Sequence, residues 1–255
     1  MRVLGIDVDA DLRHRWRGWL MPDAQPYLVP PEVAATLGLA DEPARLTPEL
    51  RDSFELYQPA GAAVAWLTRR EARLLPPAVR AGQPAAHRWP SRDEDRTEAR
   101  VVRYVEFGRR ASRHRDVAAA TWRAAGAVLP GARALAGRFP AHSGPNCFGA
   151  VLAAAGVAGA ERIWMQREPF EAWLADRTRP GGSDDDLGTV LVWRSQDGLV
   201  QHAAVTLGDG WALHKPSQGW MSPTKVLRVR DVKLSSRTPG RHLHRHRLLA
   251  APGRP

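Results

Sequence analysis

The chain has 255 residues, 44% hydrophobic and 25% charged, a composition that supports a sizeable buried core and excludes a disordered or fibrous chain. Its formal net charge is +10. Most of that positive charge is Arg, spread evenly among abundant Ala, Gly and Pro, which reads as the imprint of a GC-rich genome. No compact basic run interleaved with aromatics occurs, so nucleic acid is not the expected partner. The single cysteine, Cys147, excludes an intrachain disulfide and a Cys-rich structural metal site. After a short apolar run the N-terminus meets Asp7, Asp9 and Asp11, so neither a secretory signal nor a membrane span is expected, and the expected location is the cytoplasm.

Residues 2–8 read as a strand and 11–20 as a helix carrying Trp16 and Trp19. Prolines punctuate the chain from Pro22 to Pro59. Two short helices fit there, Pro31–Leu39 and Pro48–Tyr57, the second behind the N-cap Thr47. Residues 62–68 read as a strand, 69–75 as a basic helix, and the Pro- and charge-rich stretch 76–98 as a long loop or domain boundary. Residues 100–107 alternate like a strand. An Ala-rich helix over 117–137 is broken at Pro130-Gly131.

A turn-forming segment with His142, Ser143, Gly144 and Pro145 then leads into a helix beginning at Cys147, with Asn146 at its N-cap and Gly156 as its stop. A second helix fits 168–176, followed by a loop over 178–188. The remainder reads as strands at 189–194, 199–207, 210–215, 225–233 and 242–249, with hairpin turns at Asp197-Gly198 and Asp209-Gly210. The order is helices first, then an antiparallel meander, which makes an α+β fold. Two parts are expected: an N-terminal α/β extension of unknown fold over 1–98, and a catalytic domain over 99–255.

The chemistry concentrates on Cys147. At a helix start, unpaired backbone N–H groups and the dipole favour a thiolate, so a lowered pKa is expected there. A thiolate nucleophile needs an imidazole to take and return protons, and the imidazole needs a third group to fix its tautomer. His202 and His214 stand equidistant from residue 208 on successive strands, so a hairpin brings them side by side. The alternative for a lone cysteine in an Ala-rich helix is a buried small hydrophobe. His242, His244 and His246 alternate on one strand and suggest either a metal or a solvated edge strand; lacking an acidic or Cys neighbour, the edge strand is expected, with no metal or cofactor. Asp184–Asp186 read as an exposed loop rather than a cation site.

The segment Asn146-Cys147-Phe148-Gly149 resembles the nucleophile segment of NlpC-type cell-wall peptidases, a papain-like family. Asp186-Leu187-Gly188 resembles that family's strand entry. Gln201-His202 through Asp209-Gly210 resembles its His-bearing hairpin, and Ala212-Leu213-His214 the segment bearing its second His. The resemblance covers roughly 135–235. It implies a papain-like fold in which a Cys-bearing helix packs on an antiparallel sheet. Cys147 would be nucleophile, His202 base and then acid, and His214 the third member. The backbone N–H of Cys147 would form part of an oxyanion hole. Asn146 and Phe148 depart from the family's Asp and Ser, and no Tyr lies between Tyr104 and Cys147. Trp211, Trp220, Asn146 and His142 are the expected substrate-binding residues, with Lys215 and Gln218 as further contacts. The expected activity is hydrolysis of a peptide or other amide through a thioester. Transfer of the acyl group to an amine, and a non-catalytic binding module, are the alternatives.

Overall fold

The structure, a computed structural model, describes residues 1–57 and 61–249. It is a mixed α+β fold. Among the described residues are ten strands and eleven α-helices, none of them long and apolar enough to cross a membrane. The chain forms two compact units. The first is Met1 with Val8–Gly108; the second is Arg2–Asp7 with the chain from Arg109 onward.

The second unit opens with β1 (Arg2–Val3) and β2 (Ile6–Asp7). Sequence alternation suggests one strand here. The chain turns instead at Leu4 and Gly5, both with positive φ (50° and 76°), the geometry of a two-residue hairpin turn. An apolar Leu does not announce such a turn.

The first unit holds α1 (Ala10–Leu20), β3 (Ala24–Val29), α2 (Pro31–Leu37), α3 (Pro48–Phe54), β4 (Ala63–Thr68), α4 (Arg69–Ala72), α5 (Pro77–Ala81) and α6 (Glu94–Glu106). β3 and β4 pair antiparallel. Their inner face buries Tyr27, Val29, Ala63, Ala65 and Leu67. Thr47 caps α3 as expected, accepting from the Leu50 N–H at 3.4 Å. The expected strand over 100–107 is overturned: these residues belong to α6. Asp93 accepts from the Arg96 N–H and caps a first turn carrying Glu94 and Asp95, which suits the positive end of the helix. Thr97, Val101 and Val105 form its buried stripe, so the spacing of four prevails over the alternation of two. The anticipated boundary at 98/99 falls inside this helix.

In the second unit α7 (Ala119–Val128) and α8 (Ala132–Leu135) flank Pro130-Gly131, followed by α9 (Cys147–Ala154) and α10 (Arg167–Arg177). Then come β5 (Thr178–Pro180), β6 (Thr189–Arg194), β7 (Val200–Gly208), β8 (Trp211–His214), β9 (Lys225–Arg228), α11 (Val229–Ser235) and β10 (His242–Leu248). The strands form one antiparallel sheet in the order β5-β10-β6-β7-β8-β9. The strand expected over 225–233 ends at Arg228, where the chain turns into α11. β10, carrying the three alternating histidines, is not an edge strand. It lies between β5 and β6, and β5 takes the edge.

Strand alternation gives the sheet two apolar faces. Val190, Val192, Ala203, Val205, Leu207 and Leu213 pack with α7, α9 and α10. Leu191, Trp193, Ala204, Ala212 and Leu227 pack with Val229 and Val232. The loop before β6 is tied down by ion pairs. Asp184 meets Lys233 and Arg245 at 2.8 Å each, and Asp186 meets Arg247 at 2.8 Å.

Candidate active site

Asn146 has extended backbone, and its Oδ1 accepts the Gly149 N–H at 3.0 Å. Its Nδ2 donates to the Met165 carbonyl at 2.8 Å, joining α9 to the loop that follows it. Gly149 makes that approach possible: a Cβ there would lie 2.3 Å from the Ala160 carbonyl oxygen. Asn146 is therefore committed to holding the segment that bears Cys147, although one side of it lines a cleft.

Cys147 takes the first helical position and is 8% exposed. Burial pushes its thiol up to about 11, against the expectation of a lowered value. The backbone N–H groups of Ala203, Phe148 and Cys147 itself, and the charge of Lys215, pull the other way without overcoming that burial. A helix of eight residues at a dry site does not offset the cost of charging sulfur there.

His202 and His214 come together. Their Nε2 atoms are 2.9 Å apart, and their rings cross edge to face at 88° with centroids 5.0 Å apart. The residues are not directly opposite. Thr206 pairs with Ala212 and Val205 with Leu213, after a bulge that inserts one extra β7 residue near the turn. The histidines therefore meet on a diagonal, which long rings can span. Burial lowers both imidazoles: His202 to about 4, with Arg241 adding to the effect, and His214 well below its ordinary value, with His202, Lys225 and Lys215 adding. Both are neutral at pH 7. His214 Nδ1 is buried without a hydrogen-bond partner among the described residues.

The sulfur reaches β7 at the amide of Ala203, the neighbour of His202. The His202 ring packs the other way, against Trp193 with centroids 5.3 Å apart. No hydrogen bond joins the sulfur to either ring among the described residues. The resting arrangement is thus a made His–His pair beside a neutral, buried thiol.

A cleft of about 670 Å³ runs beside α9, lined by Asn146, His142, Lys215, Arg138, Arg162 and Glu161 among others. His142 is exposed there, its Nδ1 2.7 Å from the Ser143 carbonyl. Two of the expected substrate contacts are corrected. Trp220 is fully buried, and its backbone N–H donates to Ser143 Oγ at 3.1 Å. Trp211 is 4% exposed beneath the Arg228 guanidinium, 3.7 Å from the ring centroid. Both are large apolar rings that the core takes. Lys215 lines the cleft, whereas Gln218 is not among the residues that line it. Arg138 on the cleft and the Ala203 amide at the sulfur were not legible: Arg138, nine positions before Cys147, reads as one arginine among many, and a backbone N–H leaves no mark in the sequence. No group of three or more His, Cys, Asp or Glu side chains is placed to hold a metal among the described residues.

Comparison with known proteins gives no family model, no curated protein and no solved structure that matches this chain.

Proposed function

We propose that the second unit is a papain-like, cysteine-dependent hydrolase of peptide or other amide bonds, similar in mechanism to NlpC-type cell-wall peptidases. The observation that carries this reading is the 2.9 Å contact between His202 and His214, with the sulfur of Cys147 at the amide adjoining His202. The Nε2–Nε2 contact leaves the Nδ1 of His202 as the ring atom for proton exchange with a thiol; because both rings stand on the Trp193, Ala204 and Ala212 face of the sheet while α9 packs on the Ala203 and Val205 face, this reading requires a rearrangement that brings sulfur and ring together.

On this reading the resting thiol is uncharged and is activated only with substrate in place. The His202 ring takes the thiol proton on Nδ1 while its Nε2–H donates to His214. The sulfur attacks the amide carbonyl carbon, and the oxyanion takes a hydrogen bond from the Cys147 N–H. The C–N bond breaks as His202 returns the proton to the leaving amine. Water, deprotonated by His202, then cleaves the thioester and frees the acid and the thiol. Apo geometry looser than the reacting geometry is common at such sites.

The burial of the thiol and its missing hydrogen bond to an imidazole favour a second reading, a binding module on the same architecture. One experiment separates the two. Wild type and Cys147→Ala are incubated with muropeptides and peptide amides, and products are weighed by mass spectrometry. Hydrolysis by wild type alone supports the hydrolase. Acyl transfer to an added amine marks a transferase with the same thioester. No product from either protein leaves the binding module.

A further inference from the structure

Lys225 opens β9 and pairs directly with His214 of β8, so both side chains stand on the sheet face that carries Ala212 and Leu227. Lys225 is 3% exposed. Its Nζ donates to the Arg110 carbonyl at 2.9 Å and forms no ion pair among the described residues. His214 is 2% exposed, and its Nδ1 is the buried atom without a hydrogen-bond partner. The ring gives that atom a direction. The two nitrogens of an imidazole face nearly opposite ways, so with Nε2 turned toward His202 on β7, Nδ1 faces the β9 side, where Lys225 stands.

The same geometry assigns the proton. Between two neutral rings the Nε2–Nε2 contact holds one proton, and His214 carries its own on Nδ1 when His202 is the donor. A bare lone pair at Nδ1 would draw the neighbouring ammonium. Lys225 turns to the Arg110 carbonyl instead, which marks Nδ1 as an N–H without an acceptor. The charges acting here are all positive: Arg241 at His202, Lys215 and Lys225 at His214, Arg109 and Arg110 at Lys225. The Asp231 carboxylate meets Arg110 at 3.6 Å and is not among the charges felt at Lys225.

We propose that the Lys225 ammonium and the His214 Nδ1–H bind a halide ion, chloride or bromide, between β8 and β9. A buried ammonium with no counter-charge and a buried N–H with no acceptor each cost free energy, and one anion answers both. The donors are single points with no guanidinium fork, and both residues are almost closed off from water. That suits a monoatomic anion better than a carboxylate or phosphate, whose several oxygens all need partners. Bound there, the ion holds the His214 proton on Nδ1 and keeps its Nε2 as acceptor for His202. The site does not depend on the hydrolase reading, because it needs no reaction at Cys147.

The test follows the chloride NMR line width of the full chain at pH 7, with chloride added at fixed ionic strength against sodium gluconate. Exchange onto a protein site broadens the free-ion signal. Saturable broadening in wild type, displaced by bromide but not by equal acetate or sulfate, supports the site. Apparent affinity should fall about tenfold or more in Lys225→Met and in His214→Leu. His214→Asn, whose side-chain amide puts a donor where Nδ1 stood, should retain part of it, and the exposed change Arg230→Ala should leave it intact. Diffuse attraction of anions to a chain of net charge +10 gives broadening that does not saturate and survives every variant. Only that background in wild type, displacement by acetate or sulfate as readily as by bromide, or saturable binding that persists in both Lys225→Met and His214→Leu would overturn the proposal. The wild-type titration can do so alone, so a variant that fails to fold does not shield it.

Discussion

Met165 and Asn146 are nineteen positions apart, yet the Met165 carbonyl accepts the Asn146 Nδ2–H at 2.8 Å while the same side chain caps α9 through Gly149. One amide group thereby fixes both the start of the cysteine helix and the loop beyond it. Replacing Asn146 by Ala removes the cap and leaves a buried carbonyl without its donor. The expected loss is about 2–3 kcal/mol, read from urea unfolding midpoints. Asp at this position keeps the acceptor for Gly149 but turns an oxygen toward Met165, so it restores only part of the loss.

Gly149→Ala tests the same junction from the other side. Its Cβ would sit 2.3 Å from a backbone oxygen of Ala160, which forces the loop off the helix. A loss of about 1–3 kcal/mol is expected by thermal unfolding, because backbone cannot give way as a flexible side chain does.

The thiol sets a third expectation. With burial holding Cys147 near 11, iodoacetamide should label the folded chain slowly at pH 7 and progressively faster up to pH 10 and above. Cys147 is the only cysteine, so the added mass measured on the intact protein reports it alone. Rapid labelling at pH 6 would show a thiolate already formed and would contradict the resting state described above.

Acid should weaken the fold through His202. Its folded value lies near 4 against an ordinary 6.5, so the unfolded chain binds the extra proton between those limits. Stability therefore falls as pH drops from about 6.5 toward 4, by about 3 kcal/mol from this residue. Urea midpoints at pH 7 and pH 5 measure it, and His202→Asn should flatten that dependence. An unchanged midpoint in wild type would show that the imidazole is not buried neutral.

Much of the second unit was legible because local chemistry and tertiary demand agree there. Asn146 caps as its residue type predicts, and Asp209-Gly210, both at positive φ, make the turn that such a pair favours. The meeting of His202 and His214 was legible for a subtler reason. Symmetry about residue 208 places them directly opposite, whereas the observed pairing is displaced by two positions. A shift of two preserves the face, so the conclusion survives an incorrect register. What stayed hidden depends on contacts distant in sequence. Trp211 and Trp220 looked like cleft walls until the core claimed them, and α6 looked like a strand because Val101 and Val105 satisfy both periods. The burial that raises the Cys147 thiol comes from the sheet face across from it, which no local pattern around residue 147 encodes.

The hairpin of β1 and β2 belongs to the second unit, where the Ser112 N–H donates to the Leu4 carbonyl at 2.8 Å and Asp7 pairs with Arg115. Topologically, residues 8–108 are an insertion between the first strand pair and everything that supports it. During synthesis, that pair emerges before residues 8–108 and must wait unpartnered until the far side of the insertion has been made. A fragment cut at Arg109 would start without it, so excising the cysteine-bearing unit intact calls for joining residues 2–7 to the later chain by a linker, not for a single cut.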